Sequence, residues 1–253
     1  ADFQIAQQRV DQAMALARQK ENISCLAGAL LVNGNLQAAR GNDKLALDEY
    51  EKALMLRRET ENNDWEASIF EAMGNAEIRL GNYERARSHF VSSRKAIVGH
   101  DPVALAAAHR GLGSIALVQN DFATARKEFL AGLQAVTGQE KQDFEEDLRA
   151  RLALVLRDEG RLSEAATVLT KCLAYWKGKE HSRWIATTRL QLASVLLQQG
   201  DFGTAKDLLS KSEAAYQELG DSSGVTECKE LLRQANSGLT AKGHSPIRTG
   251  SRL

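Results

Sequence analysis

Six alanines recur at nearly constant spacing along the chain: Ala6, Ala46, Ala86, Ala125, Ala165 and Ala205. The intervals are 40, 40, 39, 40 and 40 residues. A period of this size constrains the fold before any single residue is weighed, because it marks one supersecondary unit copied along the chain. Such a unit cannot bury its apolar face alone, so the copies must stack. Function is then expected to spread over a surface rather than to concentrate in a catalytic pocket.

Each alanine sits in a longer pattern. Five residues before it stands Ala1, Gly41, Gly81, Asn120, Gly160 or Gly200, and three before it Phe3, Asp43, Tyr83, Phe122, Leu162 or Phe202. Four residues after it comes Val10, Tyr50, Phe90, Phe129, Leu169 or Leu209. Seven after it the side chain is small again: Ala13, Ala53, Ser93, Gly132, Cys172 or Ser212. These offsets put one stripe on one face of a helix. A second helix precedes each turn. Its mark is a small residue seven positions before the turn: Gly34, Gly74, Gly113, Ala153 and Ala193. A larger neighbour stands beside it in Met73, Leu112, Leu152 and Leu192, with Asn33 as the exception. Small residues there let two helices approach closely. The intervening glycine supplies a permissive cap for the turn.

The spaced set of a large–small pair, a glycine turn, an aromatic residue, an alanine and a further aromatic or leucine resembles the tetratricopeptide repeat over residues 1–220. The unit is about 40 residues long against roughly 34 in the family at large. The surplus falls in the loops Asn62-Asn63-Asp64, Gly99-His100-Asp101-Pro102 and Lys179-Glu180-His181-Ser182. Asp64, Asp101 and Ser182 are expected N-caps, with Pro102 at the first helical position. The longer unit is similar to polarity adaptors of the LGN/Pins kind, kinesin light chains and the sensor domains of MalT-like regulators. The resemblance implies an all-α, right-handed α-solenoid of about five and a half repeats plus a capping helix. Residues 1–236 would form this domain and residues 237–253 a disordered tail. The capping helix is expected over 222–236, with Val225, Cys228, Leu231, Leu232 and Ala235 inward. Residues 2–20 read as a second helix without its first, so either the chain was cut there or an upstream region, or another copy, covers that face. The sequence lacks an initiator Met, which points to a processed or excised chain.

Charge and chemistry narrow the function. Thirty-three basic residues balance thirty-three acidic ones. Nucleic-acid binders and polybasic membrane anchors carry a basic excess, so neither partner is expected. No apolar run reaches the length of a membrane span, and no secretory signal is visible. Cys25, Cys172 and Cys228 are odd in number and far apart, which points to a reducing, cytoplasmic setting. No phosphate-binding loop, nucleophile elbow or zinc-protease motif occurs. His89, His100, His109, His181 and His244 have no metal-ligand spacing, and Glu145, Glu146 and Asp147 read as a helix start. Trp65, Trp176 and Trp184 read as packing residues at the junctions. No enzyme activity, cofactor or metal is expected. Ser245-Pro246-Ile247-Arg248 resembles a proline-directed kinase site.

In the resembled family the first helix of each unit lines a concave groove. Carried over position by position, this implies a partner-binding set of Asn35, Asn75, Arg79, Arg110, Arg151, Arg157 and Gln191, with Glu71, Asp147 and Asp158 beside them. Arg110, Arg151 and Arg157 read as a row from successive units, with Arg79 one unit earlier. Such a row can hold an acidic segment by charge-assisted hydrogen bonds, or be spent on the neighbouring carboxylates. The family's clamp for chaperone tails needs lysines and a second asparagine that this chain lacks. The function implied is a non-catalytic scaffold that binds a partner peptide or helix in its groove. The alternative is a ligand-sensing domain of a larger signalling ATPase or transcription regulator.

Overall fold

The computed structural model describes residues 2–59, 65–97, 101–138 and 140–243. Among these residues there are twelve α-helices and no strand, the all-α class that the period implies. The chain divides into two compact units, Ala1–Phe144 and Glu145–Leu253.

The first unit holds α1 (Asp2–Gln19), α2 (Ile23–Ala39), α3 (Asp43–Glu59), α4 (Glu66–Arg79), α5 (Tyr83–Lys95), α6 (Pro102–Val118) and α7 (Phe122–Val136). Helices α2 and α3, α4 and α5, and α6 and α7 form antiparallel pairs, and α1 lies against α2. The second unit holds most of α8 (Gln142–Asp158), then α9 (Leu162–Gly178), α10 (Ser182–Gln199), α11 (Phe202–Glu218) and α12 (Ser222–Gly243). Helices α8 and α9 share a core, α10 pairs with α11, and α12 closes against α11. Helix α12 continues to Gly243, beyond the expected end at 236. Asp64, His100, His244 and the Ser245-Pro246 motif lie outside the described residues.

One turn serves every pair. In the α4–α5 joint Gly81 has φ +78°, its N–H donates to the Ile78 carbonyl, and the Asn82 N–H donates to the Glu77 carbonyl. These two bonds close the carbonyls that a helix end leaves open. Asn120 makes the same turn at φ +59°, a conformation asparagine tolerates better than other side chains. Caps follow directly. Asp121 accepts from the Thr124 N–H, Asp201 from Thr204, and Asp101 from Val103 and Ala104, with Pro102 next. At α10 the cap is His181 rather than Ser182.

The stripe read from the sequence is the core. Ala46, Ala86, Ala125, Ala165 and Ala205 are all wholly buried, and so are Phe90, Phe129, Leu169 and Leu209. The alanine lets the helices close, and the large residue four positions on fills the space beside the small residue of the first helix. A Cβ added at Gly34 would stand 2.4 Å from the Tyr50 ring, and one at Gly113 would stand 2.6 Å from Phe129. Phe90 is gripped from both sides, by Gly74 of its own pair and Gly111 of the next, at 2.7 and 2.3 Å. Ser93 and Ser212, in the second small slot, donate to the Ala67 and Ala186 carbonyls at 2.8 and 2.6 Å. In α1 the stripe is less covered: Ala13 is exposed, as are Ile5 and Leu16.

Gly111 separates packing from helix propensity. Alanine there gains about 1 kcal/mol of propensity but drives a methyl into the Phe90 ring, at about 1–3 kcal/mol. Gly111→Ala is expected to lower the thermal midpoint by about 2–4 °C. Gly178→Ala, with open space around its Cβ, should leave the midpoint unchanged or raise it. A rise in both variants, followed by far-UV circular dichroism, would refute the close packing at Phe90.

Candidate functional site

In the first unit α2 and α4 are the first helices of successive pairs, and α3 runs beneath them. Between them lies a cavity of about 310 Å³. Its apolar lining comes from Leu31, Ala38 and Ala72, and its polar lining from Asn35, Tyr50, Ser68, Glu71, Asn75 and Arg79. Asn35 and Asn75 are one period apart, so the repeat itself sets them at matching places on neighbouring helices.

Tyr50 lines this cavity while its ring is buried against Gly34. The hydroxyl donates to Asn35 Oδ1 at 2.9 Å. Burial pushes its pKa up to about 12, although Arg79 nearby favours the anion. Tyr50 is therefore a neutral donor at physiological pH, and it fixes which way the Asn35 amide faces.

Arg79, which lines the cavity, and Arg110, which reaches its Glu71, are both engaged. Arg79 places Nε and Nη2 each 2.7 Å from Asp43 Oδ1. Arg110 Nη2 donates to Glu71 Oε1 at 2.8 Å, and its guanidinium lies 4.9 Å from the centre of the Phe144 ring. Asn75 Nδ2 faces the same Glu71 oxygen at 3.5 Å, a long contact. Both ion pairs join different helices, and each is charge-neutral.

The structure thus brings Asn35, Asn75 and Arg79 together, with Arg110 beside them through Glu71. The remaining expected residues lie in the second unit. Arg151 and Arg157 both stand on α8, which corrects the reading of a row from successive units. Arg151 Nε is 3.1 Å from Asp147 Oδ1. Arg157 donates to both Asp158 oxygens, at 2.6 and 3.0 Å, and to Ser194 Oγ at 3.1 Å. Ser194 in turn donates to the Gln191 carbonyl at 2.7 Å, and the Gln191 side-chain oxygen is buried without a hydrogen bond. A row of arginines offering positive charge to an acidic partner is not what this geometry presents, since a carboxylate already engages each one.

Three contributors were not read from the sequence: Tyr50, Ser68 and Asp43. A signal existed for two of them. Tyr50 is the one hydroxyl in a slot otherwise filled by Val, Phe or Leu, and Asp43 is the one acid in a slot otherwise aromatic or leucine. The tryptophans divide. Trp176 is buried and stacks on Trp184 at 5.0 Å, as packing residues do. Trp65 is 55% exposed at φ +75°, held under Arg57 at 4.8 Å.

The family profile described as "Tetratricopeptide repeat" matches residues 146–218. Residues 146–218 carry this repeat. The other helix pairs share its fold with solved repeat proteins. The chain is similar to Cut9 of the APC/C hetero-tetramer Cut9–Hcn1, at 20% identity and a TM-score of 0.67, over 92% of this chain and 39% of that one. It is also similar to a Rap protein complexed with competence and sporulation factor, at 14% identity and a TM-score of 0.67, over 95% and 72%. A third similar structure is the repeat-sensor STAND protein PH0952 of Pyrococcus horikoshii, at 12% identity and a TM-score of 0.63, over 93% and 39%. The chain therefore spans about two fifths of the Cut9 and PH0952 chains. At these identities the likeness is one of fold. No curated protein matches the chain by sequence. Among the described residues no helix is long and apolar enough to cross a membrane, and no cluster of His, Cys, Asp and Glu could hold a metal ion.

The shifted hydroxyl of Tyr50 sets a pH dependence. It ionises near pH 12 when folded and near 10 when unfolded. The stability it contributes is complete below pH 10 and is lost as pH rises through 12. Tyr50→Phe should cost about 1 kcal/mol at pH 7 from the lost hydrogen bond, yet fall less steeply above pH 10. Tyr216, also raised by burial, titrates in both proteins and cancels. Parallel urea-unfolding curves for the two proteins from pH 8 to 11 would contradict a buried, neutral Tyr50.

Proposed function

We propose that this chain is a non-catalytic binding module, whose repeat helices hold a peptide segment of a protein partner along their first-helix face. The observation that carries the reading is the cavity between α2 and α4. It is concave, partly apolar, and edged by amides set one repeat apart on neighbouring helices. Such preorganised polar groups reduce the cost of ordering a bound segment. The fold likeness to Cut9, whose structure holds Hcn1, and to a Rap protein with its bound factor supports a protein or peptide as the ligand. The likeness to a repeat sensor supports a regulatory setting as the second reading. The free thiols, two of them buried, accord with the reducing, cytoplasmic location proposed for the chain.

A random peptide library displayed against the immobilised chain tests this. Enriched peptides should bind with a dissociation constant of about 1–100 μM and weaken about tenfold or more on Asn35→Leu/Asn75→Leu. Lys171→Ala, on the exposed side of α9, should change nothing. Peptides that bind the double variant equally well would refute the site. A library without binders, together with a metabolite that raises the melting temperature, would favour the sensor. Because the arginines are already paired, raising salt from 50 to 500 mM should weaken binding less than about threefold. A far steeper salt dependence would restore an acidic partner held by free arginines.

A further inference from the structure

We propose that α1, with the adjoining edge of α2, docks an amphipathic helix of a partner protein, one that sets an acid against Arg9 and, four residues on, an alanine against Val10. This surface is separate from the cavity between α2 and α4 and does not rest on the peptide reading.

The repeat shows what is uncovered. In each later unit the alanine is wholly buried, and the small slot seven residues on is buried too, at Ala53, Ser93, Gly132, Cys172 and Ser212. Among the described residues α1 has no first helix beside it. There Ala13 and Leu16 are exposed and Ala6 is half-buried. Leu56, one unit after Leu16, is partly covered. On α2, which carries no charged residue, Val32 is exposed. Its counterpart Ala72 lines the cavity that α2 and α4 enclose. An apolar face left open on one unit and closed on the others marks a contact surface.

The intact pairs define the occupant. Ser93 and Ser212 donate to carbonyls near the start of α4 and α10, so an antiparallel helix lies over the slot that Ala13 holds in α1. Size follows a rule. Where the second helix sets Tyr50, Phe90 or Phe129, the first helix has glycine, and opposite Leu169 and Leu209 it has Ala153 and Ala193. Val10 is smaller than any of these, so alanine fills the slot opposite it. Charge is read from the position three residues after the alanine. There His89 stacks on Phe70 at 6.2 Å and Glu128 meets His109 at 2.7 Å. Phe70 and His109 each stand four residues before the small residue of their helix. Arg9 holds this position in α1, where it is exposed and has no ion pair with a described residue. An acid four residues before the alanine completes it.

A second copy does not match. Its α12 carries Lys229 and Arg233 one period after Arg189 and Ala193, and both are exposed. They would set a lysine against Arg9 and an arginine in the alanine slot. Two α1 faces together would bring Arg9 twice and no acid on the stripe of Ala6, Ala13 and Leu16.

The probes are two fluorescein-labelled peptides of residues 182–199, the natural sequence and its Arg189→Glu counterpart. Both keep Ala193 and differ in the charge presented to Arg9. Each is titrated into the full chain at pH 7 and about 50 mM salt, with fluorescence anisotropy as the readout. The Arg189→Glu peptide should bind with a dissociation constant of about 10–300 μM, and the natural peptide about fivefold more weakly. Arg9→Glu in the chain should reverse that order. Ala13→Arg should remove binding of both, with helix content and thermal midpoint unchanged because Ala13 is exposed. Equal binding of the two peptides, binding that survives Ala13→Arg, or no binding up to about 1 mM overturns the docking face. Binding lost in Asn35→Leu/Asn75→Leu but indifferent to Arg9→Glu places the peptide in the cavity and overturns it as well. A dimer in sedimentation that dissociates on Ala13→Arg makes the occupant a second copy and overturns the partner assignment. Library peptides that depend on Asn35 and Asn75 should bind the Ala13→Arg chain normally, so the two readings fail separately.

Discussion

The structure depends on one contact made repeatedly, a large residue of the second helix set against a small residue of the first. Where the large residue is aromatic, the fit leaves no room for a methyl: Tyr50 on Gly34, Phe90 on Gly74 and Phe129 on Gly113. Interiors packed at crystal-like density register a change of one carbon. This fit fixes the distance between helices in a pair, and through Gly111 it fixes the distance to the next pair as well. The spacing of the polar groups on the first-helix face follows from it. Asn35 and Asn75 face one cavity because the same contact, repeated after one period, carries each first helix to the same place relative to its second.

The period made this core legible, because repetition averages out the exceptions. Any one of Ala46, Phe90 or Gly74 would be an ordinary helix residue, but a stripe seen in successive copies is a packing rule. Contacts within one helix were legible too. The Asp147–Arg151 pair is a four-residue spacing that any helix brings together. Bonds between helices 36 and 39 residues apart, such as Arg79 to Asp43 and Arg110 to Glu71, were harder to foresee. The period places such residues near one another, but the rotamer that decides the bond depends on packing around it. The row from successive units failed for a different reason, since Arg151 and Arg157 belong to the same helix, α8. Helical spacing gives the face of each arginine and does not give its partner.

The exceptions to the repeat proved more informative than its conformers. On α3 Asp43 breaks the pattern, while Tyr50 keeps it and adds a hydroxyl; Tyr50 lines the cavity and Asp43 holds its Arg79. Asn33, which breaks the pattern on α2, bonds Gln7 on one side and Glu49 on the other. A sequence consistent at every other level places its deviations where something besides stability is selected. Deviation here also carries a cost. The Asp43 carboxylate, in a slot otherwise aromatic or leucine, and the added hydroxyl of Tyr50 must find polar partners, and Arg79 and Asn35 supply them.

Charge neutrality has the same local origin. The equal totals of acidic and basic residues say little alone, because a balanced chain can still segregate its charges. In the first unit Arg79 pairs with Asp43 and Arg110 with Glu71, and in the second Arg151 pairs with Asp147 and Arg157 with Asp158, so each set is neutral locally. Where charges are paired in this way, discrimination between ligands in general rests on hydrogen-bond geometry rather than on net field. A mismatched group loses because it leaves a buried donor or acceptor without a partner, a penalty that salt does not screen.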